Sequence, residues 1–173
     1  MSGGAKRPAS EAVTHALTLR QPWATAITHH GKRLENRTRG PGKHLGARIA
    51  LHAGAAKDQE AYYDLDVMGI APAYGTQRPV RAVVGTARIL AVLSDVVVTA
   101  LGGFGYLLAA DSTDGSALSV LTPEQVCTWA VGPVIWILGD VEAFRTPIPW
   151  SAGKLGIWAM PEELCARVAE ARP

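Results

Sequence analysis

The segment from Leu17 to Thr38, LTLRQPWATAITHHGKRLENRT, constrains the fold more than any other part of the chain. Its first residues alternate between apolar and polar types, as in a β-strand. Pro22 suits the first position of a following helix, and Gly31 stands where a helix commonly ends. A second strand is expected from Arg33 to Thr38. The segment therefore predicts a strand, a helix and a strand, with many polar side chains at the two junctions.

The first junction holds four candidate ligand-binding residues, Arg20, Gln21, Pro22 and Trp23. Backbone amides at the start of a helix point toward whatever lies in front of it, and this arrangement suits an anion. Arg20 and Gln21 add hydrogen-bond donors, and the sequence gives them no role in a core. Trp23 offers a surface on which a base can stack, and the alternative is a core position that holds the helix in place.

The second junction adds Lys32, Glu35, Asn36 and Arg37 as candidates. In a regular strand Glu35 and Arg37 project from one face and Asn36 from the other. On an open surface a carboxylate between two cations is an ion pair that contributes little to stability. In a concavity, Lys32 would neutralise a phosphate or act as a base, with Glu35 orienting it. Chemistry alone leaves both interpretations open, and Asn36 either pairs with a base edge or closes a turn.

Basic residues are concentrated around this segment. Six lysines and arginines fall between residues 32 and 48, and Glu35 is the single acid among them. The whole chain has a formal charge of only +2 and a sequence pI of about 8.7, well short of a protein that coats nucleic acid. The local cluster therefore favours an anionic ligand over an ordinary solvated surface.

The remaining sequence predicts an α+β fold, a small mixed β-barrel with short helices packed on its openings and a C-terminal helix. Gly85 interrupts a β-branched run and predicts a bulge or bend there. Residues 1–14 are expected to form a flexible tail, which leaves 15–173 as a single domain. Further strands are expected over 47–52, 80–93, 134–144 and 156–160, and further helices over 57–68, over 122–130 and from Pro161, whereas residues 94–121 show no readable pattern.

No spacing typical of a metal site, a phosphate loop or a nucleophile elbow is present, so neither a metal nor a cofactor is expected. Cys127 and Cys165 lie in apolar helical patterns and are expected to be small core residues. The sequence has no apolar run long enough for a membrane helix and no secretion signal, which predicts a cytoplasmic protein without a membrane partner. The oligomeric state stays open.

Residues 17–38 and 147–158 closely resemble the ASCH (activating signal cointegrator homology) family of the PUA-like barrel superfamily. Lys32, Glu35 and Arg37 match the family's Lys-x-x-Glu-x-Arg strand residue for residue. The stretch 49–53 is similar to a family strand that tends to end in His-Ala, which adds His52 to the expected site. Residues 134–138 look like one of the closing strands, so the resemblance extends in outline from residue 16 to about 160.

The resemblance implies a barrel whose cleft, beside the first helix, binds RNA or another nucleic acid or nucleotide-like ligand. Some family members hydrolyse acetylated cytidine derivatives and others are described as ribonucleases, and only in an enzyme would Lys32 and Glu35 be catalytic. The small amidohydrolases carry threonine three positions after the motif lysine, where this chain has Glu35, and a carboxylate does not replace a hydroxyl. Binding of RNA or single-stranded nucleic acid is thus the leading expectation. An enzyme acting on RNA or a modified nucleoside comes second, and a barrel for protein interaction or metabolite sensing third.

Overall fold

A computed structural model describes residues 11–61, 78–94, 97–98, 104–105, 111–112, 120 and 122–173. Within these ranges the chain is α+β, as predicted. The strands are β1 His15–Gln21, β2 Leu34–Arg37, β3 Arg48–Lys57, β4 Ala82–Ser94, β5 Val97–Val98, β6 Phe104–Gly105, β7 Asp111–Ser112, β8 Val134–Pro149 and β9 Ile157–Ala159. The α-helices are α1 Trp23–His29, α2 Pro123–Trp129 and α3 Glu162–Ala171, and a 3-10 turn spans Gly42–His44. Of the helix predicted over 57–68, residues 59–61 are helical, Lys57 instead ends β3, Asp58 lies between the two, and 62–68 lie outside the described residues.

One mixed sheet carries most of the strands, in the order β2-β8-β4-β3-β1-β9, and β7 pairs with β4. β1 runs parallel to β3, with Leu17 opposite Leu51, and the other pairings in this sheet are antiparallel. β5 and β6 form a separate two-stranded pair. The pairings among the described strands do not close the sheet into a ring, so the mixed sheet is confirmed and the barrel stays a prediction.

The longest strands, β4 and β8, bend where the sequence predicts. Their register shifts three times, and one of the shifts lies between Val83 and Gly85. A Cβ atom at Gly85 would clash with the backbone carbonyl oxygen of Glu142 on the neighbouring strand. Glycine therefore lets the two backbones approach closely at this point.

Helices pack on both faces of the sheet, and the buried apolar side chains of the described residues form three clusters, one of which joins α1 and α2 to β4 and β8. Leu17, Leu19 and Leu51 pack on one face with Ile27 of α1. Ala16 and its neighbours on the other face pack with α3; this second core includes Ala50, Val83, Phe144, Trp158, Leu164 and Val168. The first face carries α1 and so positions the junctions that the sequence singles out.

The predicted flexible tail, residues 1–14, includes residues that pack on the sheet and on α3, namely 11–14. Val13 is buried in the core beside α3. The carbonyl oxygen of Thr14 accepts a hydrogen bond of 2.9 Å from the amide of Met160. The carboxylate of Glu11 forms an ion pair with Arg88. Small polar composition conceals these contacts, since their partners lie far away in sequence.

Two expectations for the helices have opposite outcomes. Thr122 caps α2 by accepting a hydrogen bond from the amide of Gln125, as its capping sequence predicts. Cys127 is exposed, so its prediction as a core residue is wrong; the buried face of α2 is formed by Val126 and Trp129. No helix within the described part of the chain has the length and apolar content needed to cross a membrane.

Candidate functional site

A buried ion pair joins the end of α1 to the start of β2. Only 2% of Lys32 is exposed, and its ammonium group donates to Glu35 Oε2 at 2.8 Å and to the backbone carbonyl of Leu34. The same ammonium group lies 5.7 Å from the centroid of the Trp23 ring, a cation–π distance. The charge of Lys32 is thus compensated inside the protein, and the pair holds β2 against the helix.

Arg37 occupies the next position on the same face of β2, and it contacts the second oxygen of the same carboxylate. Its Nη1 lies 3.6 Å from Glu35 Oε1, and its guanidinium group stacks 5.3 Å from the centroid of the Trp136 ring. The Trp136 indole donates in turn to the carbonyl of Arg39 at 2.9 Å. One carboxylate therefore serves two cations, and the partly exposed Arg37 side chain is presented on a fixed aromatic support.

Three adjoining cavities run along β2 and form what we call the β2 cleft. They have volumes of about 600, 390 and 410 Å³. Asn36 lines all three, Arg37 and Leu155 line the first two, and Trp23 and Glu35 line the last two. Further residues of the 600 Å³ cavity include Arg39, Pro41, His44 and Trp136; of the 390 Å³ cavity, Arg20, Gly54 and Ala56; and of the 410 Å³ cavity, Lys32, Asp58, Glu60 and Val131. Each volume is in the range that holds a small organic ligand.

The charges along the β2 cleft change sign from one end to the other. Arg20, Arg37 and Arg39 line the two basic cavities, where Glu35 is the one acid among the lining residues. The third cavity has Glu35, Asp58 and Glu60 beside the paired Lys32. A ligand with an anionic end and an uncharged or donor-rich end fits this distribution, because each end then meets the opposite charge.

Trp23 combines the two roles that the sequence leaves open. It packs edge-to-face on Trp129, with ring centroids 6.5 Å apart, and its indole donates to Asp58 Oδ2 at 3.1 Å. These contacts hold the α1 start in place. The ring is nevertheless only partly buried and lines the 390 and 410 Å³ cavities, so it also forms part of the cleft wall.

Gln21 and Pro22 are buried, and the Gln21 amide is used inside the protein. Its Nε2 donates to the carbonyl of Pro79 at 2.7 Å, and its Oε1 accepts from the Thr25 hydroxyl at 3.0 Å and from the Thr25 amide at 3.2 Å. The expectation that Gln21 has no core role is therefore wrong, because the side chain caps α1 and anchors residue 79. Arg20, one residue earlier, is exposed and reaches the cleft.

Asn36 closes a turn, which was one of its two predicted roles. Its Nδ2 donates to the carbonyl of Trp129 at 2.8 Å, and its Oδ1 accepts from the amides of Val131 and Gly132 at 3.0 and 3.1 Å. These three bonds tie β2 to the connection between α2 and β8. The amide borders the cleft, but its hydrogen-bonding groups already have protein partners.

His52 lines none of the three cavities of the β2 cleft, and its place in a binding site stays a prediction. Only 2% of the residue is exposed. Its Nε2 lies 2.8 Å from the carbonyl of Trp150, so this nitrogen carries the proton and donates it. Trp158 donates to the Thr18 hydroxyl at 2.9 Å, which leaves that hydroxyl to donate to His52 Nδ1 at 3.2 Å. Burial lowers the pKa of His52 below its ordinary value of 6.5, and the bond to Trp150 opposes this only in part.

Several residues that line the cleft were not among the sequence candidates, including Arg39, Asp58, Trp136 and Leu155. Arg39 belongs to the basic cluster that the sequence shows, and Trp136 belongs to a predicted strand. Neither observation predicts that Arg39 and Trp136 line a cavity beside β2. Leu155 can be identified as a cleft residue from the structure but not from the sequence, because it is 96% exposed and borders two cavities. An exposed leucine there gives the cleft an apolar rim.

Comparison with known proteins gives a likeness in overall structure. No family model and no curated protein matches the chain. The ASCH protein from Zymomonas mobilis has 15% identity and a TM-score of 0.48, over 92% of this chain and 95% of that chain. Two single-residue variants of that protein give 16% and 18% identity, with TM-scores of 0.48 and 0.49, over 94% and 92% of this chain and 99% and 98% of theirs. These proteins bear the family name that the sequence motifs indicate, and the likeness by itself says nothing about activity or ligand.

The Lys32–Glu35 pair gives a first prediction. Removing one partner leaves the other charge buried without compensation, so Lys32→Met and Glu35→Gln are each expected to lower the free energy of unfolding by about 3–5 kcal/mol. The double variant should lose much less than the sum, because both charges of the buried pair are then removed and only the partly exposed Arg37 loses its carboxylate. Urea denaturation of the four proteins measures the coupling. Additive single effects would contradict a mutually compensated pair.

A second prediction concerns pH. Because the folded-state pKa of His52 is lowered, the unfolded chain binds more protons than the folded chain below about pH 6.5, and stability is lost as pH falls through that region. Each unit of pKa depression corresponds to about 1.4 kcal/mol. His52→Gln should therefore show a weaker decline in unfolding free energy between pH 8 and pH 5.5, measured by urea denaturation.

Other histidines also contribute to the pH dependence of the unfolding free energy and must be separated from His52. Burial also lowers the pKa values of His30 and His44, so part of the decline should persist in the His52→Gln variant. The informative quantity is the difference between the two pH profiles. Parallel profiles would show that His52 does not contribute.

Proposed function

We propose that this protein binds nucleic acid, with RNA or another single strand favoured, in the β2 cleft. The observation that carries the proposal is the Arg37 guanidinium, which is stacked on Trp136 and lines two cavities between Arg20 and Arg39. Arginine recognises phosphate through paired donors and stacks on flat rings. A row of three arginines beside aromatic walls thus matches the chemistry of a nucleotide strand.

The charge distribution orients the ligand within the cleft. Phosphates would lie along Arg20, Arg37 and Arg39, because the opposite end contains Asp58 and Glu60 and repels them. A base would occupy the acidic end, where carboxylates accept hydrogen bonds from exocyclic amino groups. Cavities of 390–600 Å³ accommodate unstacked nucleotides one at a time, and this favours a single strand over a duplex.

We also infer that the sheet belongs to a PUA-like barrel, as the sequence resemblance implies. The bends in β4 and β8 support the inference, because long strands that bend at glycine allow a small sheet to curl. A crystal structure in which the β2 and β9 edges remain apart, without intervening strands, would refute it.

Binding can be tested with single-stranded RNA and DNA oligonucleotides by fluorescence anisotropy at several salt concentrations. Wild-type affinity should fall with salt, with a shallow slope of about 0.7 per phosphate contacted. Arg20→Gln with Arg39→Gln should reduce the slope by about 1.4, since both exposed side chains line the basic half.

Arg145→Gln is the matched control, because Arg145 is an exposed arginine that lines none of the three cavities. It should leave the slope unchanged. The proposal fails if no single strand binds at low salt, or if the Arg20/Arg39 double variant behaves like the Arg145 control.

The alternative is an enzyme that acts on RNA or a modified nucleoside with Lys32 and Glu35. The observation that favours it is the position of this buried charged pair on the wall of the 410 Å³ cavity. In the described arrangement Lys32 is a compensated cation, so it would stabilise developing negative charge, and Glu35 would transfer protons.

A turnover assay separates the alternative from binding alone. RNA and a panel of acylated nucleosides would be incubated with the protein and the products separated by chromatography. Glu35→Asp keeps the charge and should lower a true turnover by about 10²-fold or more through lost positioning, while Arg145→Gln should retain it. Product formation that is unaffected in Glu35→Asp would point to a contaminating enzyme.

A further inference from the structure

A fourth cavity, of about 560 Å³, lies outside the β2 cleft and carries two arginines. Arg81 and Arg167 line it together with Trp150, Ser151 and Ala152, and no acidic residue is among the described lining residues. None of these residues borders the three cavities of the cleft. Two cations without an opposing carboxylate make a local field that attracts an anion.

The backbone holds both arginines beside the same short segment. The Trp150 amide donates to the carbonyl of Arg81 at 2.7 Å, and Arg167 of α3 approaches the carbonyl of Pro149 with its Nη1 at 3.5 Å. Arg81 has a φ of 53°, in the left-handed region that residues with a side chain seldom adopt. Such backbone geometry persists where surrounding contacts impose it, and here it brings Arg81 to the end of β8.

The indole of Trp150 supplies an independent sign of a missing partner. Its Nε1 is buried and has no hydrogen-bond acceptor among the described residues. Buried polar groups in proteins are nearly always paired, and an unpaired one calls for an explanation such as a bound ligand or ion. Trp150 lines this cavity, and an anion oxygen there is an acceptor of the required kind.

We propose that Arg81, Trp150 and Arg167 form a phosphate-binding subsite, with Ser151 as an added donor. The phosphate can belong to a nucleic-acid backbone or to a free phosphate compound. The backbone source rests on the proposed function, whereas the free phosphate does not. Arginine pairs bind phosphate through charge-assisted, two-pronged hydrogen bonds, so both sources use the same chemistry.

The distance to the β2 cleft is compatible with one continuous strand. Trp150 borders the subsite and Leu155 borders the cleft, and five residues of chain span at most about 18 Å. Stacked nucleotides cover that distance in roughly five steps of about 3.4 Å. A strand of about twelve nucleotides is therefore long enough to reach both places.

The backbone source is tested by the salt dependence of anisotropy for fluorescein-labelled three- and twelve-nucleotide single strands. Arg81→Gln with Arg167→Gln should lower the slope by about 1.4 for the twelve-mer and by less for the three-mer, which has fewer phosphates to contact. Arg145→Gln serves as the control with an exposed arginine elsewhere, and circular dichroism confirms that each variant is folded. A smaller slope for the twelve-mer, with no such change in Arg145→Gln, supports the subsite.

The free-phosphate source is tested by titrating inorganic phosphate and pyrophosphate while following the melting temperature. A rise in the wild type that disappears in the Arg81/Arg167 variant, and persists in Arg145→Gln, supports the subsite even if no oligonucleotide binds and the proposed function fails. If the double variant matches the wild type in both assays, the subsite is refuted, whether or not the β2 cleft binds single strands.

Discussion

The arrangement of the β2 cleft depends on the carboxylate of Glu35. A buried lysine is stable only when its charge is compensated, and Glu35 compensates Lys32 through Oε2 at 2.8 Å. The other oxygen faces Arg37 at 3.6 Å. This single group therefore fixes the distance between the end of α1 and β2, and it also places the guanidinium group on Trp136. The partly exposed Arg37 acquires a defined geometry because a buried pair anchors the strand that carries it.

Polar residues in the strand–helix–strand segment fall into two groups with different partners. The amides of Gln21 and Asn36 satisfy backbone groups at residues 79, 129, 131 and 132, and so connect the segment to parts of the chain that are distant in sequence. Arg20 and Arg37 retain contact with the cavities. The first group makes the cleft rigid and the second gives it charge. A motif of this kind can thus be dense in polar residues without every member touching a ligand.

Periodicity and glycine placement predicted most strands and helices, because those signals are local. The bend at Gly85 and the Thr122 cap are examples. The contacts that these local signals do not reveal are those in which a side chain finds its partner far along the chain. Glu11 meets Arg88, His52 meets Trp150, and Gln21 meets Pro79, at separations of 77, 98 and 58 residues. The change of charge along the cleft is likewise not visible in the sequence, because only folding brings Asp58 and Glu60 beside β2. Burial of Val13 and exposure of Cys127 follow from packing that no short pattern encodes.

His52 has a structural role that links the two candidate ligand regions. Its ring donates to the carbonyl of Trp150, and the same ring packs so closely on Gly153 that any Cβ atom there would clash with it. Trp150 borders the proposed phosphate subsite, and Leu155, at the other end of the same loop, borders the β2 cleft. A protonated His52 would have to donate from both nitrogens, so the Thr18 hydroxyl could no longer donate to Nδ1 and would need to reorient. The neutral ring is therefore the form that fits the described hydrogen bonds. By holding the middle of the loop, it fixes the separation of the two regions that a bound strand would have to span.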